Sequence, residues 1–212
     1  GSVSGSDPES DPLTFVKDSD PLHGTLLLAS DGRYAYRPTA DWSGTDSFTF
    51  LAYDGQDYSS PGTVTITVTP VNDAPTATNA NETTDEDTVL NSSVTGNDVD
   101  GDSLTFAKNS DPLYGTLLFN TDGTYTYTPP ADWSGTDGFT FTAYDGQEYS
   151  SPGVVVVQVA AVNDAPTATG ASETTDEDTI LTGSVSGSDP ESDPLTFVKD
   201  SDPLHGTLLL AS

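Results

Sequence analysis

An internal repeat of 91 residues dominates this chain of 212 residues. The sequence VNDAPTAT at residues 71–78 returns at residues 162–169, and the same offset holds along the chain without a gap. At twice that offset the match is complete, since residues 1–30 reappear letter for letter as residues 183–212. A repeat of this kind predicts a tandem array of small domains in which two neighbouring domains form the larger repeating unit.

The repeat divides the chain into three parts. We predict a first repeat over residues 1–71 that lacks its opening strands, a complete repeat over residues 72–162 and the N-terminal part of a third over residues 163–212. The first residues lack the basic and apolar regions of a signal peptide, so we expect a segment of a longer array. In the alternative, chain ends complete one another, because residues 167–182 followed by residues 1–71 would read as one intact domain.

Within each repeat, apolar side chains recur at every second position. Residues 63–68 and 138–144 alternate strictly, which is typical of strands with one dry face. Further predicted strands cover residues 88–95, 103–108, 115–119 and 124–128, and no window carries a helical stripe. We therefore predict an all-β fold of tandem, immunoglobulin-like antiparallel β-sandwiches. The predicted core of the first repeat packs Val64, Ile66, Val68, Phe48 and Phe50 against Leu13 and Phe15.

Charge and composition exclude several classes of function. Acidic residues outnumber basic residues 34 to 5, so nucleic acid and anionic membrane surfaces are not expected partners. No stretch of 18 apolar residues exists, and we expect no membrane insertion. The chain has no cysteine, which excludes disulfides and thiolate metal sites and leaves hard cations with oxygen ligands. We expect no enzyme and no catalytic residues, because the two histidines are copies of one position and no serine lies beside a base in a motif.

The acidic residues gather in segments that a sandwich would place in its loops. Residues 97–102 put three carboxylates on alternate positions beside a glycine turn. Two unit charges about 4 Å apart repel by about 1 kcal/mol even in bulk water. Calcium takes six to eight oxygens from carboxylates, amides and backbone carbonyls, which is what such loops offer. The alternative interpretation is that acidic loops merely keep a secreted protein soluble.

Four motifs follow one another in the complete repeat: EDTVL at residues 86–90, DVD at 98–100, AYDG at 143–146 and AVNDAP at 161–166. In this order, and with the segment ADWSGTDGFTF at residues 131–141, the chain resembles the bacterial cadherin-like tandem repeats of giant secreted surface adhesins. The resemblance implies domains arranged end to end, an extracellular location at the cell surface and calcium bound between successive domains. Asp132-Trp133-Ser134 keeps only the first carboxylate of the animal cadherin Asp-Arg-Glu motif.

Transferred position by position, the resemblance implies three sets of calcium ligands. At the first junction they are Asn72, Asp73, Asp98, Asp100 and Asp145. At the second junction they are Glu86, Asn163, Asp164, Asp189 and Glu191. Asp7, Glu9 and Asp54 would face a domain before residue 1. Because Glu9 stands where the next repeat has Asp100, and Pro8 where it has Val99, we expect the two kinds of junction to differ in affinity.

Three functions are compatible with these observations. The first is a structural extender of a large extracellular adhesin, stiffened by Ca²⁺, whose partners are the neighbouring repeats of the same chain. The second is a filament subunit that associates with other copies by exchanging strands across incomplete domains. The third is a module that binds carbohydrate or protein. Trp42 and Trp133 could stack on sugars, although a tryptophan at such a position more often closes the end of a sandwich core.

Overall fold

The computed structural model describes residues 1–210, which form β-strands, turns and loops. Sixteen strands follow one another along the described residues. The first five are β1 (Thr14–Lys17), β2 (Gly24–Leu28), β3 (Tyr34–Pro38), β4 (Gly44–Tyr53) and β5 (Gly62–Val68). Nine follow: β6 (Thr76–Thr78), β7 (Ala80–Asp85), β8 (Leu90–Ser93), β9 (Thr95–Asn97), β10 (Thr105–Ser110), β11 (Thr116–Phe119), β12 (Thr124–Thr128), β13 (Gly135–Tyr144) and β14 (Gly153–Ala160). The last two are β15 (Thr167–Thr169) and β16 (Ser186–Ser188). Across residues 1–210 we find no helix with the length and apolar character needed to cross a bilayer.

The chain separates into two compact units. The first contains Gly1–Pro75 together with two loops from later in the sequence, Asn97–Leu104 and Tyr144–Tyr149. Its strands form a three-stranded antiparallel sheet in the order β1-β4-β5 and the hairpin β2-β3. The first unit therefore includes the acidic loops that follow β9 and β13.

The second unit is a sandwich built from two larger sheets. One sheet has the order β10-β13-β14-β7, in which β14 pairs antiparallel with β13 and parallel with β7. The other has the order β11-β12-β8, and two short pairs, β6-β9 and β15-β16, complete the topology. One core joins the sheets, since Tyr125 and Tyr127 of β12 pack with Phe139 and Phe141 of β13. The all-β fold of tandem sandwiches expected from the sequence is confirmed.

Alternation along β13 and β14 explains why these residues form strands. Every second side chain of β14 is buried, with Val155, Val157 and Val159 at most 1% exposed. Phe139 and Phe141 of β13 are 2% and 0% exposed. Each such side chain contributes about 1.5–3 kcal/mol when it is fully removed from water. Of the eight buried residues in this core, β13 and β14 therefore supply five.

The predicted core of the first repeat is only partly correct. Phe48 and Phe15 are buried, at 0% and 9% exposure. The other predicted core residues, Leu13, Phe50, Val64, Ile66 and Val68, are only half-buried. The physical reason lies in the sheet order: β5 is an edge strand, whereas β7 covers the corresponding edge of β14.

Strand β7 and its short predecessor β6 were missed by the sequence interpretation. Their sequences, TAT and ANETTD, contain no large apolar residue. The predicted strand over residues 88–95 is also two strands, β8 and β9. Hydrogen bonding to β14, rather than burial of its own side chains, makes β7 a strand.

Phe141 and Phe50 occupy equivalent positions in the two repeats. Comparing their substitutions tests how much the coverage of the core by β7 contributes to stability. Phe141→Ala should lower the free energy of unfolding of its sandwich by about 3–5 kcal/mol, the usual cost of a deleted core aromatic. Phe50→Ala should cost clearly less, because Phe50 is already half-exposed. Urea unfolding followed by tryptophan fluorescence measures both losses. Phe141→Ala is made in a Trp42→Phe chain, so that Trp133 is the reporter. Phe50→Ala is made in a Trp133→Phe chain, so that Trp42 is the reporter. Equal losses would contradict the difference in packing.

Candidate acidic metal sites

The loop that begins at Asp98 turns around one carboxylate. Asp98 Oδ1 accepts hydrogen bonds from the backbone N–H of Asp100 at 2.9 Å and of Asp102 at 3.2 Å. Gly101, at φ +82°, supplies the left-handed residue of this turn. Asp7 and Asp189 form equivalent turns, with N–H donors two and four residues on for Asp7 and four residues on for Asp189. The turn is thus a property of the repeated sequence, and it leaves the second oxygen of each aspartate for another partner.

The first acidic cluster comprises Asn72, Asp73, Asp98, Asp100 and Asp145. Asn72 Nδ2 donates to Asp145 Oδ2 at 2.9 Å, and the backbone N–H of Asp73 donates to Asp100 Oδ2 at 2.8 Å. The linker is therefore bonded to both acidic loops. Of the residues assigned to the first junction, the structure joins Asn72 to Asp145 and Asp73 to Asp100, but it does not bring three of their carboxylates together within the described part of the chain.

Asp145 is held in its charged form by hydrogen bonds. The backbone N–H of Glu148 and the side chain of Asn72, followed by the N–H of Gln147, lower the pKa of Asp145 despite its partial desolvation. Gln147 Nε2 also donates to Asn72 Oδ1 at 2.7 Å. Gln147 was not among the predicted site residues, and its amide orients the Asn72 side chain.

A groove of about 680 Å³ adjoins the first acidic cluster. Asp41, Asp73 and Asp100 contribute carboxylates to its lining, beside Trp42 and Arg37. Asp41 adopts a left-handed backbone conformation with φ +57°, which aspartate tolerates better than most residues. Asp41 was not predicted as a site residue, although its equivalent in the next repeat, Asp132, keeps the first carboxylate of the cadherin motif.

The second acidic cluster comprises Glu86, Asp87, Asp132, Asp164 and Glu191. Ligand oxygens of Glu86, Asp164 and Glu191 lie within 4.8 Å of one another, as do those of Asp87, Asp132 and Asp164. Asp164 belongs to both groups, so its carboxylate is the centre of the cluster. Glu86 is 4% exposed, and its Oε1 accepts the backbone N–H of Val162 at 2.6 Å.

Charge repulsion at the second cluster is visible at Asp164. Burial, followed by the nearby carboxylates of Asp132, Asp87 and Glu86, raises the pKa of Asp164. Like charges about 4 Å apart repel by about 4 kcal/mol at the dielectric typical of a protein surface. The cluster is therefore arranged in a way that disfavours its own ionised state.

One oxygen in each cluster is buried without a hydrogen-bond donor. Asp98 Oδ2 and Asp164 Oδ2 have neither solvent contact nor a donor within reach. Such atoms are rare, because an unsatisfied buried polar group costs about 1–3 kcal/mol, and more when it is charged. Carboxylate and amide oxygens without histidine or cysteine are the donors that Ca²⁺ prefers. The second cluster therefore fits a hard divalent cation, whereas the first has the right kinds of donor but no three carboxylates that converge within the described part of the chain.

Other predicted ligands lie outside these groups. Asn163 Nδ2 donates to the backbone carbonyl of Asp164 at 3.0 Å, and Asp189 is occupied at one oxygen by its turn. The predicted residues Asp7, Glu9 and Asp54 form no group of three metal-ligating side chains within the described part of the chain. Backbone N–H groups of Asp57 and Gln56 lower the pKa of Asp54, as the equivalent bonds do at Asp145.

Asp87 and Asp132 belong to the second cluster but were missing from the predicted ligands. Both have left-handed backbones, with φ +56° and +52°, and the N–H of Asp132 donates to Asp87 Oδ1 at 3.3 Å. The available sequence clue was the Asp-Trp pair, which recurs at Asp41 and Asp132. Asp41 and Asp132 each directly precede a tryptophan, and this tryptophan anchors the turn.

Asp137 has a structural role inside the fold. It lies inside β13, is 5% exposed and accepts five hydrogen bonds, from the N–H groups of residues 113, 114, 115 and 138 and the Tyr127 hydroxyl. Asp46 has the same role in the first unit, with donors from Leu22, His23 and Tyr36. Asp46 fixes the turn before β2, and Asp137 fixes the turn before β11.

The tryptophans pack as part of the fold. Trp133 is partly buried against the core of the second unit and stacks on Tyr114 with ring centroids 4.6 Å apart. Trp42 stacks on His23 at 4.3 Å with nearly parallel rings. This packing agrees with the interpretation of the tryptophans as closing the ends of the cores.

The family model of the bacterial cadherin-like domain matches residues 1–70 and again residues 72–161. The chain belongs to this family. The domains of this family are extracellular, adhesion-type modules that generally bind calcium. A search of curated proteins gives no match.

Several solved structures are similar to the chain. Domains EC1-2 of human mucin-like protocadherin align over 76% of this chain and 93% of that one, with 16% identity and a TM-score of 0.46. Domains 4 and 5 of the S-layer protein SbsC align over 75% of each chain, with 21% identity and a TM-score of 0.28. An endo-fucoidan hydrolase of glycoside hydrolase family 107 aligns over 72% of this chain but only 29% of its own length, with 21% identity and a TM-score of 0.31.

The Asp137 network predicts a specific loss of stability in acid. Burial alone would raise the pKa of Asp137, but the N–H groups of Gly115, Gly138 and Leu113 outweigh it and lower the pKa. A lowered native pKa gives stability that is present above the unfolded pKa of about 3.9 and is lost as the pH falls through the native value. Asp137→Asn should cost at least about 1–3 kcal/mol at neutral pH, because a buried donor loses its acceptor.

Urea unfolding at neutral pH and at pH values near and below that unfolded pKa checks this prediction. The loss from Asp137→Asn should shrink in acid, where the wild-type carboxylate is itself protonated. Asp111→Asn is the control, since Asp111 is exposed and its surface ion pair with Lys108 contributes little. A loss from Asp137→Asn that does not change with pH would contradict the role of the charge.

Proposed function

We propose that this chain is an extender segment of a large extracellular adhesin, and that calcium at the junctions between repeats makes the segment stiff. Its direct partners are the neighbouring repeats of the same polypeptide, and its place is at the cell surface. The observation that carries the proposal is the pair of buried carboxylate oxygens, Asp98 Oδ2 and Asp164 Oδ2, that have no hydrogen-bond donor. Both lie in clusters formed by linker residues and acidic loops.

The residues of each cluster offer the kind of oxygen ligand that Ca²⁺ prefers. In the first, Asp73, Asp98, Asp100 and Asp145 would supply carboxylate oxygens, and Asn72 an amide oxygen. In the second, the suppliers would be Glu86, Asp87, Asp132, Asp164 and Glu191. Bound calcium supplies positive charge that compensates the repulsion among these groups.

Stiffening follows from where the ligands lie in the sequence. Asp73 and Asp164 each lie in a short linker between repeats, and each is followed by an Ala-Pro pair. Proline fixes its own φ and restricts the residue before it, so the linker has few conformations. A linker whose carboxylate shares a cation with loops of the adjoining repeat loses most of its remaining freedom. A long array of such repeats then keeps its length and transmits force, because it does not bend at each junction.

The two clusters are expected to bind calcium with different affinity. Asp100 of the first corresponds to Glu191 of the second, whose side chain has one more methylene group. Both bond the linker backbone: the N–H of Asp73 lies 2.8 Å from Asp100 Oδ2, and the N–H of Asp164 lies 3.1 Å from Glu191 Oε2. An array with this two-repeat unit would alternate between two classes of junction, which differ in the calcium concentration at which they become stiff.

Calcium should raise the melting temperature of the chain, because a ligand that binds only the folded state stabilises it. At a free concentration of about 100 times Kd the gain is about 2.7 kcal/mol per site, which corresponds to a shift on the order of 10 °C for a small domain. Differential scanning calorimetry in calcium and in chelator measures the shift. Asp164→Asn should reduce it, whereas Asp200→Asn, an equal change of charge at an exposed residue outside both clusters, should not. An unchanged melting temperature in calcium would overturn the proposal.

Stiffening itself is measured by small-angle X-ray scattering. The maximum dimension of the particle should be larger and its distance distribution narrower in calcium than in chelator. Asp98→Asn should shift the scattering in calcium part of the way towards the scattering in chelator, because it weakens the first cluster and leaves the second intact. Magnesium at the same concentration should act more weakly, since Mg²⁺ demands a compact octahedral site and gives up its water reluctantly. Identical curves in calcium and chelator would exclude a stiffening role.

A further inference from the structure

The outer face of the sheet β10-β13-β14-β7 carries an apolar stripe along its centre. Val154 and Val156 of β14 point away from the core, because every second side chain of this strand, beginning with Gly153, is buried. Val154 is 41% exposed and Val156 is half-buried. All four strands of this sheet belong to the complete repeat, which therefore supplies the whole face itself.

A glycine lies beside the stripe on the neighbouring strand. The register places Gly138 of β13 directly opposite Val156. A Cβ atom at residue 138 would lie 2.5 Å from the backbone oxygen of Val155, so the position has no room for a side chain. Glycine inside a strand is often a place where another backbone or a ligand approaches closely. Here it leaves the flank of Val156 uncovered.

The equivalent face of the first repeat is polar. Thr63 and Thr65 replace the two valines, Ser47 replaces the glycine, and both threonines are exposed. β5 nevertheless pairs with β4 in the register that β14 has with β13. Strand formation at these positions therefore does not require valine. The apolar stripe in one kind of repeat indicates a contact that the other kind does not make.

The polar side chains around the stripe bond one another. Thr136 Oγ1 donates to Gln158 Oε1 at 2.7 Å, and Gln158 Nε2 donates to the carbonyl of Gly135 at 3.1 Å. On the other side of the stripe, Asn109 Nδ2 donates to Thr140 Oγ1 at 3.0 Å. Polar groups that already have partners lose less when water is removed from them. Burial of this face would therefore leave these donors satisfied.

The centre of the face carries no charge, although the chain has a net charge of −29. Eight outward residues are paired across β13, β14 and β7, and all are neutral: Thr136, Gly138, Thr140, Val154, Val156, Gln158, Asn81 and Thr83. The next outward pair along the strands is Ala160 with Asp85, at the end of β7. Two copies of so acidic a chain repel each other through their loops, so a neutral sheet face is where they can come into contact.

We propose that two copies of this chain associate side by side, with the outer face of β14 in one copy packed against the same face in the other. The contact is isologous, so the stripe of Val154 and Val156 meets its own counterpart. Sheets packed face to face lie about 10 Å apart, and the valines of each copy then fill the space beside Gly138 of the other. A second copy is favoured over a foreign protein because two identical neutral faces match, whereas a basic partner would be drawn to the acidic loops instead.

The size of the face sets the strength of the contact. Three strands about 4.8 Å apart, with about five residues each at about 3.4 Å per residue, cover roughly 14 Å by 17 Å. Two such surfaces bury less than the roughly 1,200 Å² of a typical stable interface. One pair of faces therefore binds weakly. In the array of the proposed function the face would recur once in every two repeats, and many weak contacts would act together. Only this last step rests on the proposed function.

Analytical ultracentrifugation of the full chain tests the association. The weight-average mass should rise above 22.1 kDa as the concentration goes from micromolar to millimolar. The rise should be steeper at higher salt, because salt screens the repulsion between the acidic loops. Val154→Thr combined with Val156→Thr, which copies the first repeat, should weaken the association by roughly tenfold or more.

Leu118→Thr is the matched control. Leu118 lies on β11 of the opposite sheet and is 73% exposed, more than Val154. Its replacement removes more exposed apolar surface but leaves the proposed contact intact, so the association should not change. Melting curves followed by circular dichroism check that both variants remain folded.

Cross-linking locates the contact. Because the chain has no cysteine, Val154→Cys and Leu118→Cys each introduce a single thiol. A short bis-maleimide should join the Val154→Cys chains into dimers roughly tenfold faster than the Leu118→Cys chains, because the contact raises the effective concentration of one thiol near the other.

Three results would overturn the inference: a monomeric mass at every concentration, equal weakening by the valine and Leu118→Thr variants, or equal cross-linking at residues 154 and 118. A monomeric mass would assign the face to a foreign partner instead of a second copy. Association that persists in chelator supports the side-by-side contact whatever calcium does to the melting temperature. A calcium-dependent melting temperature in a chain that stays monomeric supports the extender alone, so the two proposals fail separately.

Discussion

Repulsion among carboxylates that the backbone holds together is the interaction on which the proposed function of this chain depends. At Asp164, four other carboxylates lie near, one of its oxygens is buried without a donor, and its pKa is raised. Such an arrangement is unfavourable for the folded protein by itself. Under the proposed function, a bound cation would offset this repulsion, and the junction would be ordered when the cation is present.

The same residue type has the opposite role a few residues away. Asp137 and Asp46 are almost fully buried, yet N–H and hydroxyl donors surround them and lower their pKa values. They need no cation, and they fix the turns before β2 and β11. The contrast shows that burial alone does not decide the charge state of an aspartate: hydrogen-bond donors surround both oxygens of Asp137 and Asp46, whereas one buried oxygen of Asp164 has none.

Much of the fold could be predicted because period-two alternation is strong in β13 and β14, where side chains are buried on one face. β7 could not, since its side chains are small or polar and it is a strand only through its pairing with β14. Val64 and Val68 of β5 are only half-buried for a related reason, because the burial of one strand depends on a neighbouring strand that is distant in sequence. Of the site, the contacts of the linker residues Asn72 and Asp73 with the loop residues Asp145 and Asp100 could be expected from the resemblance to cadherin-like repeats. Asp87 and Asp132 could not, because their approach depends on left-handed turns that have no strong sequence marker in aspartate.

Strand coverage and cation binding are coupled through the end of β7. The strand that seals the apolar edge of β14 continues directly into Glu86 and Asp87, and the N–H of Glu86 extends the ladder by donating to Ala160 at 2.9 Å. β7 therefore brings two carboxylates to the cluster around Asp164 in the linker that follows. The same backbone hydrogen bonds close the core and place these carboxylates, so packing of the sandwich and the arrangement of the acidic cluster depend on one strand.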